Sequence, residues 1–428
     1  MNQPTVAPDQ PSSTRKPFIA MSVTYFLDAF NDNFFKQAVS LLAVSATMNY
    51  LSGYATALFS LPFVFFSAWG GWLSDRFAKK QVLIAAKMLE LVAMLIGAYG
   101  LITMNWACVL LMVFTMGVQS TLFGPAMNGS IPELYPEERV TKANAVLKVV
   151  STAAILLGTA LAGFSLERKW LPPQILFGHE VSFGIILTAA AVIFVAALGL
   201  TSCFGVYSRP ASGAHPPFPH TGPLDSLREF IALKRDPLLL LAIICDCFFY
   251  FLSQFILLVN NPLGIQQLGL SQFHTSLLSA SLAIGVSIGA LVAAKITTQH
   301  RWTHILMPGA VGMGASLIAL GLLVSFGADA VPTAAVLGLL IIAGIFGGMF
   351  LIPITAFIQV RPDAQHKGRV LGVSYFTTFA CMMLAGLLFS LFDSLMRPSW
   401  TMMMLGVFAL LTGVMLQAIL RKPQFRTE

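Results

Sequence analysis

Three ionisable residues, Asp28, Asp32 and Lys36, lie inside the first apolar segment of the chain. A charged side chain in the middle of a membrane-spanning helix costs about 2.5–3.5 kcal/mol on insertion scales, so a segment that keeps three of them is expected to use them. Successive members of this set are four residues apart, which places them on one helical face. We expect that face to line a polar cavity enclosed by protein. The alternative is a structural ion pair between packed helices, and one segment can serve both purposes.

The composition indicates what kind of element carries these charges. Of the 428 residues, 57% are hydrophobic and 10% are charged, and the mean hydropathy is +0.79. Soluble domains carry about 25% charged residues, so these values are typical of a polytopic membrane protein. About twelve apolar segments reach the roughly 20 residues that a helix needs to cross a bilayer. The predicted class is an all-α membrane protein with twelve transmembrane helices.

The distribution of basic residues predicts the orientation of the chain. Most of the 25 Lys and Arg residues lie in the two tails and in alternate loops, so the positive-inside rule predicts that both termini are cytoplasmic. The net charge of +7 then reflects topology and contact with anionic lipids, and it gives no indication of nucleic-acid binding. The five Cys residues lie within or beside apolar segments, so no disulfide framework is predicted.

The two halves of the sequence repeat one pattern. An offset of 218 relates Asp28 to Asp246, Lys36 to Gln254 and Gly71 to Gly289, and an offset of 228 relates Pro125 to Pro353 and Gly158 to Gly386. A duplicated pattern in a chain of this length predicts two pseudo-symmetric six-helix bundles that rock about a central site.

The domain boundaries follow from this repeat and from the polar segments between apolar ones. The predicted parts are a disordered cytoplasmic tail at 1–17, an N-terminal bundle at 18–204, a cytoplasmic linker with an amphipathic helix at 205–236, a C-terminal bundle at 237–420 and a cytoplasmic tail at 421–428.

The loop after the second apolar segment carries the strongest motif. The run from Gly71 to Lys80 resembles the GxLaDrxGrkxx motif of the major facilitators, with Ala78 at the position of the second glycine. Gly71 would let two helices approach closely, and Asp75 would pair with basic groups or cap a neighbouring helix. The predicted gating residues are Gly71, Asp75, Arg76, Lys79 and Lys80. The alternative is that the basic residues of this loop only set the topology.

Further short motifs resemble one branch of that superfamily, the bacterial lysophospholipid transporters. They are the run Ala29–Lys36, Gly124-Pro125-Ala126, Lys142-Ala143-Asn144, the run 154–158 and Gly347-Gly348-Met349-Phe350 with Pro353. The resemblance implies an alternating-access flippase in the bacterial inner membrane. It would move lipids such as lysophosphatidylethanolamine from the outer to the inner leaflet for re-acylation. Related transporters are fused to acyltransferase and acyl-carrier-protein synthetase domains, so a separate chain would supply that activity here. We expect a monomer that needs no cofactor.

The predicted substrate site is built from charged and amide side chains of several apolar segments. Lysines would meet the lipid phosphate, aspartates an ammonium group, and asparagines the glycerol oxygens. The predicted set is Asp28, Asn31, Asp32, Asn33, Lys36, Lys148, Asp246 and Gln254. Phe26, Phe30, Phe34 and Phe35 could line a slot for the acyl chain. The chain differs from the family pattern at Met127, Lys148 and Gln254, where the family often has a Lys, an acidic residue and an Arg, and this bears on headgroup preference.

Two other functions are compatible with parts of the sequence. The same buried carboxylates could cycle protons and drive export of an amphiphilic drug or metabolite. His220 and Asp225 match the HxxxxD pattern of glycerolipid acyltransferases, but a loop of about 30 residues is too short for that domain, so we predict no enzymatic activity. Lys87 and Glu90, three residues apart, are expected to form a local structural ion pair. No metal site is predicted.

Overall fold

The computed structural model describes residues 11–134, 137–207, 218–296, 302–326, 331–362 and 367–422. These residues are almost entirely helical. The long apolar segments form helices because a bilayer offers no partners for backbone N–H and C=O groups, which must bond within the segment.

Thirteen α-helices follow one another along the described chain. They are α1 (Pro11–Ser45), α2 (Tyr50–Arg76), α3 (Lys79–Ile102), α4 (Trp106–Leu134), α5 (Glu137–Leu166), α6 (Phe183–Cys203), α7 (Gly222–Ala232), α8 (Pro237–Pro262), α9 (Gln272–Ile296), α10 (Leu306–Phe326), α11 (Thr333–Val360), α12 (Lys367–Leu395) and α13 (Pro398–Leu420).

Eleven of these helices are long and apolar enough to cross a membrane, namely α2 to α6 and α8 to α13. The first helix, α1, has 35 residues and carries the three ionisable residues Asp28, Asp32 and Lys36 in its middle. The chain is therefore a multi-pass membrane protein.

The short helix α7 lies in the segment that the sequence predicts as a cytoplasmic linker. It begins at Gly222 with Pro223 in its first turn, and a 3-10 turn at Leu233–Arg235 follows it. Asp236 then caps α8, because its side chain accepts a hydrogen bond from the backbone N–H of Leu239 at 3.1 Å. Phe230 packs into an apolar cluster of the C-terminal half, so α7 is fixed to the helices that follow it.

A two-stranded antiparallel hairpin connects α5 to α6. Strand β1 (Gln174–Leu176) pairs with β2 (His179–Val181), and Gln174 lies opposite Val181, Ile175 opposite Glu180, and Leu176 opposite His179.

The chain forms two compact units. Unit 1 takes its described residues from 1–35, 66–158 and 169–220, and unit 2 takes them from 36–65, 159–168 and 221–428. The helices α1, α2 and α5 each contribute one part to each unit. The division at 204 and 237 predicted from the sequence is based on the internal repeat, and it stays a prediction.

Glycine pairs bring the helices of unit 2 into backbone contact. A methyl group added at Gly285 of α9 would lie 2.9 Å from the Cα of Gly344 in α11, and one added at Gly348 would lie 2.8 Å from the backbone nitrogen of Ala290. Gly285 and Gly289, like Gly344 and Gly348, are four residues apart. This spacing is the small-residue pattern that lets two membrane helices pack closely.

We expect Gly344→Leu to destabilise unit 2 by about 3 kcal/mol or more, because the new side chain would meet the backbone of α9 and not a flexible side chain. The measurement is the thermal unfolding midpoint of the protein in detergent, together with the monodisperse fraction. Gly338→Leu is the matched control on the same helix, since a methyl group at Gly338 would meet nothing within 4 Å. Equal midpoints for the two variants would show that this contact does not hold α9 to α11.

Candidate functional site

A buried ion cluster lies in unit 1, centred on Lys87 of α3. Its Nζ is 2.7 Å from Oδ1 of Asp28 in α1 and 2.5 Å from Oε2 of Glu90. Lys87 and Glu90 are fully buried and Asp28 is 6% exposed. The ring of Phe123 in α4 covers the ammonium group, with its centroid 4.8 Å from Nζ. The ion pair predicted between Lys87 and Glu90 is confirmed.

Two amide side chains complete the coordination of the carboxylates. Gln119 Nε2 of α4 donates to Asp28 Oδ1 at 2.9 Å, and Asn31 Nδ2 of α1 donates to Glu90 Oε1 at 2.9 Å. Each carboxylate therefore accepts from the lysine and from one amide. Such bonds offset part of the cost of removing charges from water.

A hydrogen-bonded path leads from this cluster to Asp32. Ser120 Oγ of α4 lies 3.0 Å from Gln119 Oε1 and 3.2 Å from Asp32 Oδ2. A hydroxyl has one proton, so Ser120 donates to one of these oxygens at a time. Asp32 is only half-buried. It is thus the most accessible of the three carboxylates, since Asp28 and Glu90 are buried.

Glycines and short side chains make room for the cluster. A methyl group added at Gly199 of α6 would lie 3.5 Å from the Nζ of Lys87, and one added at Gly158 of α5 would lie 2.6 Å from the carbonyl oxygen of Phe30. Gly158 therefore lets α5 approach the backbone of α1, and Gly199 brings α6 beside the ammonium group of Lys87.

The expectation that Asp28, Asp32 and Lys36 share one wet face is wrong for Asp28, which is buried against α3. Four residues of an α-helix advance by about 40° beyond a full turn, so Asp28 and Lys36 point about 80° apart. Lys36 lies instead in unit 2, where its Nζ is 4.2 Å from the ring centroid of Phe59. Asp28 thus forms a structural ion pair between packed helices, which was the alternative prediction, and its partner is Lys87 of α3.

The remaining predicted residues of unit 1 have separate surroundings. Asn31 is fully buried in the cluster. Asn33 is half-buried, and its Nδ2 donates to the carbonyl oxygen of Ala29 at 2.7 Å in its own helix. Lys148 of α5 is exposed.

In unit 2, the predicted residues contact side chains of other helices. Asp246 of α8 is buried, and its Oδ2 accepts from Thr378 Oγ1 at 2.9 Å and from Ser374 Oγ at 3.5 Å, both on α12. Gln254 Nε2 donates to Thr56 Oγ1 of α2 at 3.4 Å.

The phenylalanines proposed for an acyl-chain slot do not surround Asp32. The rings of Phe26, Phe30 and Phe34 stack along α1 with centroids 6.1 Å and 5.6 Å apart. Residues two positions apart point about 200° apart on a helix, so this stack lies on the opposite face from Asp32. Phe34 and Phe35 are buried at 3% and 2% exposure and belong to the core.

The predicted gating residues lie at the end of α2 and the start of α3. Asp75 and Arg76 are exposed, and the guanidinium of Arg76 lies over the rings of Trp72 and Phe77. The close helix approach predicted for Gly71 occurs one residue earlier. A methyl group at Gly71 would meet nothing within 4 Å, whereas one at Gly70 would collide with the backbone of α4.

Lys79 and Lys80 hold the first turn of α3 to its neighbours. The side chain of Lys79 crosses Gly129 of α4, where an added methyl group would lie 2.6 Å from Cε. Lys80 Nζ donates to the carbonyl oxygen of Phe204, directly after α6, at 2.7 Å. These lysines therefore have packing roles.

A polar network in unit 2 connects the two halves of the sequence. Gln37 Nε2 donates to Asn261 Oδ1 at 2.9 Å, and Asn261 Nδ2 donates to Ser40 Oγ at 2.7 Å. Ser40 donates in turn to Ser52 at 3.1 Å. All four side chains are buried, so parts of α1 and α2 are bonded to the end of α8.

A second set of amides extends this network. Asn49 Nδ2 donates to Gln266 Oε1 at 2.9 Å and to Asp393 Oδ1 at 3.0 Å, and Gln266 returns a bond to Asn49 Oδ1 at 2.8 Å. We call the combined set the polar latch: Gln37, Ser40, Asn49, Ser52, Asn261, Gln266 and Asp393. Its residues lie in the last turns of α1, α8 and α12, at the start of α2 and in the short segments beside these ends. Successive long helices that alternate in direction would place all of them on one side of the membrane, opposite to the N-terminus.

Sequence reasoning missed two features of these sites. The pair of Lys87 and Glu90 was predicted, but its contact with Asp28 was not, although a charged pair inside an apolar span is the same signal that drew attention to Asp28. It did not consider the amides of the polar latch, whose positions near helix ends are ordinary for membrane proteins.

Comparison with known proteins agrees with this architecture. The sequence pattern of the Major Facilitator Superfamily matches residues 21–385 and matches again over 247–428. The chain is 27% identical over 399 residues to "Lysophospholipid transporter LplT" of Serratia proteamaculans (strain 568), with 91% of each chain covered. It is 26% identical over 406 residues to the protein of the same name from Yersinia enterocolitica serotype O:8 / biotype 1B (strain NCTC 13174 / 8081), covering 93% of this chain and 92% of that one.

Among solved structures, a D-xylose-proton symporter superimposes with a TM-score of 0.71 at 16% identity, covering 96% of this chain and 98% of that one. This likeness concerns the fold. The family pattern covers most of the helices that build both units, and the second match begins within α8, as the internal repeat predicts. The chain belongs to the major facilitator superfamily.

Proposed function

We propose that this protein transports lysophospholipids across a bacterial inner membrane, from the outer to the inner leaflet, where a separate acyltransferase would re-acylate them. The observation that carries the proposal is the similarity to relatives named lysophospholipid transporters along nine-tenths of both chains. Lysophosphatidylethanolamine is the expected substrate, and both termini are expected on the cytoplasmic side.

The charges of unit 1 support a substrate with a cationic group. Lys87 carries one positive charge, whereas Asp28, Glu90 and Asp32 carry three negative charges when ionised, so the group has a net negative charge. Asp28 and Glu90 are occupied by Lys87 and by the two amides. Asp32 also accepts from Ser120, but it is half-buried, whereas Asp28 and Glu90 are buried. We therefore assign contact with the headgroup ammonium to Asp32, and we assign Asp28 and Asn31 to supporting it.

A lysolipid also carries a phosphate and a single acyl chain, which need different surroundings. A cation is required for the phosphate, and Lys36 and Lys148 are the predicted candidates, one half-buried and the other exposed. The acyl chain can stay in hydrocarbon if the headgroup site opens sideways to the bilayer. This requirement distinguishes a lipid flippase from a carrier of water-soluble substrates.

We expect Asp32→Asn to reduce transport of labelled lysophosphatidylethanolamine at least tenfold. Loss of a charge-assisted hydrogen bond costs about 1.5–3 kcal/mol, and each 1.4 kcal/mol is a factor of ten. The measurement is the initial rate of uptake into proteoliposomes, normalised to the amount of folded carrier. Asp225→Asn is the matched control, because Asp225 lies on α7, outside the membrane spans, and is exposed.

The alternative function is a proton-coupled antiporter, and it differs from a flippase in its energy source. Lysolipid uptake that a protonophore leaves unchanged supports the proposal. Proton-driven efflux of a cationic dye, with no uptake of lysolipid, would contradict the proposal and favour the antiporter. Lysophosphatidylglycerol, which lacks the amine, is expected to be transported more slowly, and to lose less activity in the Asp32→Asn variant.

A further inference from the structure

The hairpin between α5 and α6 has an unusual turn. Phe177 and Gly178, the two residues between β1 and β2, both have a positive φ, of 50° and 79°. Two-residue hairpin turns of this kind strongly prefer Asn, Asp or Gly at both positions. A bulky side chain in the left-handed region costs about 1–2 kcal/mol. An aromatic residue at this tip therefore indicates that the ring itself has a use.

The hairpin exposes large apolar side chains. Trp170 is 68% exposed, Ile175 is 81% exposed and Phe177 is 69% exposed. Val181 is buried, so one side of the hairpin packs on the protein. On the other side Ile175 is exposed opposite its strand partner Glu180, which is also exposed. Exposed apolar area costs about 25 cal/mol per Å² in water. A cluster of this kind marks a contact with another apolar surface.

The position of the tip identifies that surface. The ring of Phe177 makes an edge contact with the ring of Tyr99 of α3, with centroids 5.6 Å apart. Tyr99 is the last member of an exposed apolar stripe on α3 that also contains Met88, Val92 and Leu95. In a membrane helix such a stripe faces lipid. Tyr99 is three residues before the end of α3 at Ile102, which is about 4.5 Å along the helix axis. The tip of the hairpin therefore lies beside the last turn of α3, at a depth within the membrane-spanning part of that helix.

The base of the hairpin has the composition of a membrane interface. Lys169 is exposed and directly precedes Trp170, whose ring lies 5.9 Å from that of Phe183 at the start of α6. Tryptophan and tyrosine concentrate at headgroup level, and lysine attracts anionic headgroups. The hairpin thus combines an interfacial base with an apolar tip.

We propose that residues 169–181 form a lipid-binding anchor. Its base lies at headgroup level in the leaflet opposite to the N-terminus, and the side chains of Ile175 and Phe177 insert among the upper acyl segments beside α3. The partner is the bilayer itself. The inference is independent of the substrate, because it depends only on the hairpin and the lipid-facing side of α3.

Photo-crosslinking tests this contact directly. Benzoylphenylalanine is introduced at position 177, at position 175 in a second variant and at position 274 as the control. His274 is exposed, comparable in size, and lies in the first turn of α9, on the same side of the membrane in the predicted topology. Each variant is reconstituted into vesicles of phosphatidylethanolamine and phosphatidylglycerol that contain a phospholipid with a clickable acyl chain, and is then irradiated.

We expect at least fivefold more lipid adduct at positions 177 and 175 than at position 274. The probe at position 175 does not depend on the ring contact with Tyr99, so it reports on the hairpin if the tip variant folds poorly. Adduct yields at both hairpin positions equal to that at position 274 would overturn the proposal, as would free access of a water-soluble nitroxide quencher to a fluorophore at position 177.

Discussion

Lys87→Met is expected to destabilise the protein by about 3–5 kcal/mol and to abolish transport. The variant keeps the length of the side chain and removes its charge. Asp28 and Glu90 would then be two buried carboxylates without a cation, and removing one partner of a buried ion pair has a cost of that size. The measurement is the thermal unfolding midpoint in detergent, followed by lysolipid uptake by the folded fraction.

Two further variants separate electrostatics from packing. Lys234→Met removes an exposed lysine in the 3-10 turn after α7, and it is expected to leave the midpoint unchanged. The triple variant Lys87→Met, Asp28→Asn and Glu90→Gln replaces the whole cluster by neutral groups of similar shape, so most of the lost stability should return. A single Lys87→Met variant that is as stable as the wild type would show that the carboxylates do not depend on this cation.

Transport by the triple variant tells whether the cluster acts on the substrate. If the cluster only supports Asp32, through the path from Asp28 to Gln119 and Ser120, a neutral cluster that is folded should keep a measurable rate, with a changed apparent affinity for lysophosphatidylethanolamine. A folded but inactive triple variant would assign the charge of the cluster itself to transport.

The sequence predicts the membrane helices well because the bilayer imposes a strict rule on them. A span needs about 20 apolar residues, and its ends are marked by polar and basic residues. The pair of Lys87 and Glu90 was also predictable, since a separation of three residues on one helix fixes their distance. The short helix α7 has the amphipathic pattern that the linker sequence shows.

Contacts between helices were predicted less well, because a single sequence does not show how each helix is rotated. The assignment of Asp28 to a wet face followed from the spacing within α1, but the partner of Asp28 is 59 residues away on α3. Next to the motif, the glycine that touches a neighbouring backbone is Gly70, one residue before the motif glycine Gly71, and the sequence alone does not show which of the two faces α4. Gln37 and Asn261, which bond to each other, are separated by 224 residues.

Cross-linking the polar latch is expected to stop transport completely and reversibly. Gln37 and Asn261 belong to different halves of the sequence, and their side chains are 2.9 Å apart at the hydrogen bond. Alternating access requires contacts on one side of the membrane to break when the carrier opens there. In a Gln37→Cys and Asn261→Cys variant, a short thiosulfonate cross-linker would keep this side closed. Uptake of labelled lysolipid should fall to background and return after reduction with dithiothreitol.

The matched control uses the same chemistry within one half of the sequence. Gln267 Nε2 donates to Ser399 Oγ at 2.7 Å, and both residues lie in the C-terminal half. Gln267→Cys with Ser399→Cys should cross-link in the same way and keep its transport rate, because these positions move together when one half rocks against the other.

Uncharged amides form most of the latch, so its bonds are weak enough to break in each cycle. Full transport by the cross-linked Gln37 and Asn261 variant would exclude opening at this point.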